Sequence, residues 1–148
     1  RIDRRRPRDG GGQGAGGGGP VGGEPITRHD MPGYFLRDFD LAAGLLDELA
    51  DRGVALQFDL YHCAMIHGSG EVLPRLQALL PRTRHMQIAG LPGRHEPAEP
   101  GLPLRAIFAL LDGSGYAGRI GCEYRPAGDT REGLEWVTRL EQELELPQ

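Results

Sequence analysis

Phe58-Asp59-Leu60-Tyr61-His62 closes the short apolar run Val54-Ala55-Leu56-Gln57-Phe58. A short apolar run of that length directly after a glycine reads as a buried strand. It ends in an acid, and an imidazole follows three residues later. A carboxylate at the end of a buried strand, with a histidine on the next turn, is a common way to build a metal or proton-transfer site on an α/β scaffold. The rest of the chain is read by asking what converges on that point.

Working outward, Gly53 stops a helix predicted over about 38–52, with Leu41, Leu45, Leu46 and Leu49 as its apolar stripe. Downstream, the pattern predicts a helix at about 70–80, a strand at 84–89 and a long polar loop at 90–101. A helix at 103–113, a strand at 119–124 and a helix at 130–144 complete the series. Leu104, Ile107, Phe108 and Leu111 mark the buried side of the third helix. Leu134, Val137, Leu140 and Leu144 mark that of the last, which Thr130 is placed to cap. Upstream, Glu24-Pro25-Ile26-Thr27-Arg28 reads as the end of a strand entering a loop. Alternation of helix and strand implies parallel strands joined by right-handed crossovers, an α/β class.

Each strand end carries a polar side chain: Glu24, Asp59, Gln87 and Glu123. They lie roughly 30 residues apart, about one βα unit each. Parallel strands bring such ends to one edge of the sheet. Three carboxylates and an amide carbonyl form a hard oxygen set suited to Mg²⁺ or Mn²⁺. Without a cation the crowded acids repel, and at least one pKa rises. A carboxylate beside a polarised carbonyl can move a proton between neighbouring carbons. His62 and Arg94 are placed to hold a substrate carboxylate or hydroxyl. His85 reads as a core or supporting histidine, His29 and His67 as solvated, Cys63 and Cys122 as small core residues, and Trp136 as a packing residue.

Composition bounds the remainder. The chain has 148 residues, a net charge of −4 and 39% apolar residues, enough for one domain with a core. Its 17 basic residues are all arginine, so no lysine is present to form a Schiff base. Residues 1–23, rich in Arg and Gly, read as a disordered solvated tail, with residues 24–148 as the folded part. That tail has no apolar core of a secretory signal, and no run is long enough to cross a membrane. Two cysteines give neither a metal-spacing motif nor a disulfide framework, so a reducing cytoplasm is the expected setting. Neither a nucleic acid nor a membrane is an expected partner; a small hydroxy-oxo acid substrate is, with homo-oligomerisation an open possibility.

Several stretches together resemble the hydroxypyruvate isomerase family of xylose isomerase-like TIM barrels. They are Glu24-Pro25-Ile26, Asp30-Met31-Pro32-Gly33-Tyr34-Phe35-Leu36, Phe58–His62, His85-Met86-Gln87-Ile88-Ala89-Gly90, Gly93-Arg94-His95-Glu96-Pro97 and Gly121-Cys122-Glu123-Tyr124-Arg125-Pro126. The resemblance covers about 24–136 and implies the C-terminal half of a TIM barrel. It implies Glu24, Asp59, Gln87 and Glu123 as ligands of a divalent Mg²⁺ or Mn²⁺. Glu24 and Glu123 would be the catalytic acid/base pair, and His62 and Arg94 would bind substrate. The implied reaction interconverts hydroxypyruvate and tartronate semialdehyde. The alternatives are isomerisation of a 2-oxo-tetronate and an inactive half barrel. In this sequence Gly22 and Gly23 stand where an apolar strand would carry Glu24. The run Pro100-Gly101-Leu102-Pro103-Leu104-Arg105 replaces the family's usual helix-entry loop, so no substrate contact is assigned there.

Overall fold

In the computed structural model, residues 21–98 and 101–145 are described. Four parallel strands form one sheet in chain order: β1 (Val21–Gly23), β2 (Val54–Asp59), β3 (Thr83–Ile88) and β4 (Arg119–Cys122). Register brings Asp59 opposite Gln87, and Gln87 opposite Gly121. The helices are α1 (Phe39–Glu48), α2 (Leu60–His67), α3 (Val72–Leu79), α4 (Leu104–Ser114), α5 (Thr130–Gly133) and α6 (Glu135–Glu145). Short 3₁₀ turns at Ala50–Arg52, Ser69–Glu71 and Leu80–Arg82 flank α1 and α3. Among the described residues, no helix is long and apolar enough to cross a membrane.

The core lies where α1, α2, α3 and α4 cover the sheet. Phe39 and Phe58 are fully buried, with ring centroids 4.8 Å apart. Truncating a ring buried in this way costs roughly 3–5 kcal/mol, because neighbours collapse only partly into the void. Leu56, Val72, Leu76, Met86, Ile88 and Ile107 surround the pair. Gly53, at φ 69°, adopts the left-handed conformation that ends the helical segment before β2.

Several expectations are corrected. The tail expected to end at Gly23 does not, since Val21–Gly23 pair with Val54–Leu56 of β2; residues 1–20 lie outside the described residues. Glycine suffices in β1 because the strand is short and held by its backbone ladder. The buried side of α1 is Phe39, Ala42 and Leu46, whereas Leu41 is 38% exposed. Phe39, locked against Phe58, turns the helix away from the all-leucine stripe. The helix expected over 130–144 is broken at Leu134, which is 46% exposed, and Asp129 caps its start in place of Thr130. Leu140 is buried as expected, and Leu144 lies outside the residues whose side chains are described. Cys122 is exposed, because it ends β4, which pairs only with β3 among the described residues. Cys63 is fully buried, and its surroundings push the thiol up to about 12.

α2 is the one helix without a counterpart in the sequence reading. Leu60, Tyr61, His62, Cys63 and Ala64 are all buried, so its sequence shows no polar face and no helical period. Asp59 starts it. Its Oδ1 accepts hydrogen bonds from the Tyr61 and His62 N–H groups at 2.7 and 3.1 Å. This cap satisfies two otherwise orphaned donors and welds the strand end to the helix start.

Candidate functional site

Parallel strands deliver their carboxyl ends to one edge, and the polar residues there build a cleft of about 480 Å³. Glu24, Asp30, Tyr61, His62, Arg94 and Glu123 are among the residues lining it. Glu24 directly follows β1, Asp59 ends β2, Gln87 lies at the end of β3, and Glu123 directly follows β4. The Glu123 N–H donates to the Ile88 carbonyl at 3.2 Å, extending the β3–β4 ladder to the site.

Glu24, Asp59 and His62 come closest together, each offering a ligand atom within 4.8 Å of the others. One oxygen of the Asp59 carboxylate is spent on capping α2. Its other oxygen, Oδ2, and Glu24 Oε1 are buried with no hydrogen-bond partner. Two buried, unpartnered carboxylate oxygens in one cluster are costly, and a hard cation would meet that need. The donor set therefore fits Mg²⁺ or Mn²⁺.

The electrostatics have the same origin. Burial pushes the Asp59 carboxyl up to about 6; the His62 and Tyr61 N–H groups oppose the rise, and the nearby Glu24 charge adds to it. Burial also raises Glu24, helped by the like charge of Glu123 and opposed by hydrogen bonding from Gln57 and by Arg94. Burial and then the Arg94 charge push His62 down to about 4, while Asp30 pulls the other way. His62 is thus neutral near pH 7. Its Nδ1 accepts from the Thr27 N–H at 3.4 Å, which leaves Nε2 as the protonated nitrogen.

Arg94 is the cationic centre of the cleft. Its guanidinium lies 3.0 Å from Asp30 Oδ2, 3.1 Å from Glu123 Oε2 and 3.9 Å from Asp59 Oδ2. It also lies over the Tyr61 ring at 5.1 Å. Its backbone is left-handed, with φ 57°, a conformation uncommon for a side chain of this size. The loop that presents it doubles back tightly. A Cβ at Gly90 would collide with the Glu96 carbonyl oxygen, so glycine is required there.

The model of the family described as xylose isomerase-like TIM barrel matches residues 18–140. The chain belongs to this family. Among curated relatives, this barrel chain is 42% identical over 114 residues to a 2-oxo-tetronate isomerase of Cupriavidus necator, covering 77% of this chain and 43% of the relative. It is 42% identical over 119 residues to a putative hydroxypyruvate isomerase of Drosophila melanogaster, covering 79% and 44%. With the hydroxypyruvate isomerase of Escherichia coli it shares 33% identity over 114 residues, covering 77% and 43%. A solved structure titled AP endonuclease, family 2, from Brucella melitensis superposes with a TM-score of 0.74 at 38% identity, covering 81% of this chain and 46% of that one. The chain thus spans less than half the length of these relatives.

Within this xylose isomerase-like sheet, the four strand-end residues share one edge. Glu123 stands outside the Glu24–Asp59–His62 group, 54% exposed and paired with Arg94. Gln87 Oε1 accepts a hydrogen bond from Gln57 Nε2 at 2.6 Å. His62, expected to bind substrate, is 2% exposed and lies within 4.8 Å of Glu24 and Asp59 carboxylate oxygens. Asp30, Tyr61 and Gln57 join the site without having been singled out in the sequence. Asp30 and Tyr61 belong to the matched motifs, and Gln57 lies two residues before Asp59 on its strand. His67 is half-buried rather than solvated. Its ring stands edge-on to Phe39, and Nε2 is buried without a partner. Trp136 packs against the core and donates to the Tyr124 hydroxyl at 3.3 Å.

Proposed function

We propose that the site catalyses aldose–ketose-type isomerisation of a small hydroxy-oxo acid, with hydroxypyruvate and tartronate semialdehyde as the interconverted pair. The observation that carries this reading is the convergence of two buried, unpartnered carboxylate oxygens, from Glu24 and Asp59, beside a neutral histidine. Glu24 and Asp59, with Gln87 and Glu123 from the same sheet edge, would hold Mg²⁺ or Mn²⁺. When bound, such a cation polarises the substrate carbonyl and its neighbouring hydroxyl.

In the forward direction one carboxylate, Glu24 or Glu123, takes the proton from C3 of hydroxypyruvate. Electrons of the broken C–H bond form the C2–C3 double bond, the carbonyl electrons move to O2, and O2 takes a proton to give the enediol. Protonation at C2 and loss of the O3 proton then move the carbonyl to C3 and give the aldehyde. Glu24 suits the proton transfer because burial raises its pKa toward the working range. His62, neutral with its proton on Nε2, donates a hydrogen bond to a substrate oxygen rather than a charge. Arg94 supplies the positive charge that a substrate carboxylate needs.

The 42% identity to the Cupriavidus 2-oxo-tetronate isomerase supports a second reading, the same proton shift on a four-carbon acid. Both readings are tested on this chain by adding Mg²⁺ or Mn²⁺ and following melting temperature and C3–H exchange in D₂O. Expected are a higher melting temperature and measurable exchange with hydroxypyruvate or a 2-oxo-tetronate. No shift and no exchange with either acid would leave this chain as an inactive partial barrel.

A further inference from the structure

We infer that Gln57 is a positioning residue that fixes the Gln87 amide at the site. The inference rests on the metal-assisted reading above and deepens it. Gln57 is on β2, two residues before Asp59, so strand alternation puts both side chains on one face of the sheet. The β2–β3 pairing skips Arg84 of β3, since Leu56 pairs with Thr83 and Gln57 with His85. Such irregularities occur preferentially beside active sites.

The Gln57 amide donates from Nε2 to Gln87 Oε1 at 2.6 Å, a short and therefore strong contact between neutral groups. A carbonyl oxygen has two lone pairs. One on Gln87 is held by Gln57, and the other is left to a cation. Glu24 Oε1, at the neighbouring strand end, is buried without a hydrogen-bond partner. Asp59 repeats the arrangement, with Oδ1 anchored by two backbone N–H groups and Oδ2 free. Gln57 thus does for Gln87 what the α2 N-terminus does for Asp59. It holds the donor group in place and leaves a lone pair of its oxygen open.

Gln57→Met keeps the length and apolar stem of the side chain and removes both donors. Mn²⁺ affinity is measured by calorimetry, melting temperature in EDTA, and the side-chain amides of Gln57 and Gln87 by nitrogen–proton NMR in EDTA. The expected result is Mn²⁺ binding weakened about 10- to 100-fold, the usual range for supporting hydrogen bonds at metal sites. Melting in EDTA should stay within a few degrees of the unmodified chain. In that unmodified chain the Gln57 amide protons should exchange more slowly than those of exposed Gln77, and Gln57→Met should move the Gln87 amide resonance. If the unmodified chain binds Mn²⁺ and the variant binds it equally well, the positioning role falls and the metal reading stands. If neither binds Mn²⁺ but both amide signatures hold, the metal reading falls and the orienting role stands. Fast Gln57 exchange with an unmoved Gln87 resonance overturns the inference outright.

Discussion

Asp59→Asn separates two opposing titrations built into the site. Folded Asp59 titrates at about 6 against an ordinary value of 3.8. The folded chain therefore holds a proton that the unfolded chain has already released, and this group's contribution to stability falls as pH rises through 4 to 6. At about 1.4 kcal/mol per pH unit, the loss is on the order of 3 kcal/mol. His62 runs the other way. Folded His62 takes its proton only at about 4, against 6.5 ordinarily, so stability falls as pH drops below 6.5, again by about 3 kcal/mol. In the unmodified, cation-free chain the two largely cancel between pH 4 and 7. Asn at 59 can still accept the Tyr61 and His62 N–H groups through Oδ1, so the cap is kept while the titration disappears. Expected is a variant gaining about 3 kcal/mol relative to the unmodified chain between pH 4 and pH 8, roughly 10 °C in melting temperature. Part of this gain comes through Glu24, because the two acids repel and titrate as a pair. Urea unfolding in EDTA across that range measures it. A stability difference that is constant with pH, or that shrinks as pH rises, would refute the assignment of a buried, destabilising charge to Asp59.

Glu123→Gln should abolish net isomerisation of the substrate while costing no more than about 1 kcal/mol in urea unfolding, since its ion pair with Arg94 is half exposed. Retained isomerisation would remove Glu123 from the chemistry. At position 94, both Arg94→Ala and Arg94→Gly lose the contacts to Asp30 and Glu123, but only alanine keeps a side chain in the left-handed backbone. The glycine variant should be the more stable by about 1 kcal/mol in paired urea melts, and the reverse order would show that the loop relaxes. Imidazole resonances followed by NMR should show His62 neutral at pH 6 and titrating near 4. Ordinary titration near 6.5 would place its ring in solvent.

The order of strands and helices was legible because β2, β3 and the stripe of α4 keep clear periods. The site edge was legible because Glu24, Asp59, Gln87 and Glu123 recur at βα spacing. α2 was hidden because a helix buried on nearly every face shows no amphipathic pattern. Sequence spacing brought four groups to one edge, but it could not say which would touch. Packing decided that. Asp59 is sealed in by α2 and loses hydration, Glu123 remains at the rim and takes Arg94, and His62 is driven neutral among acids. The parallel pairing of β2 with β3 brings Gln57 to the Gln87 amide. Sequence alone fixed which chemistry was available, because side-chain type and strand polarity are local. Tertiary structure set charge states and hydrogen-bond partners, because desolvation and pairing depend on residues remote in the chain.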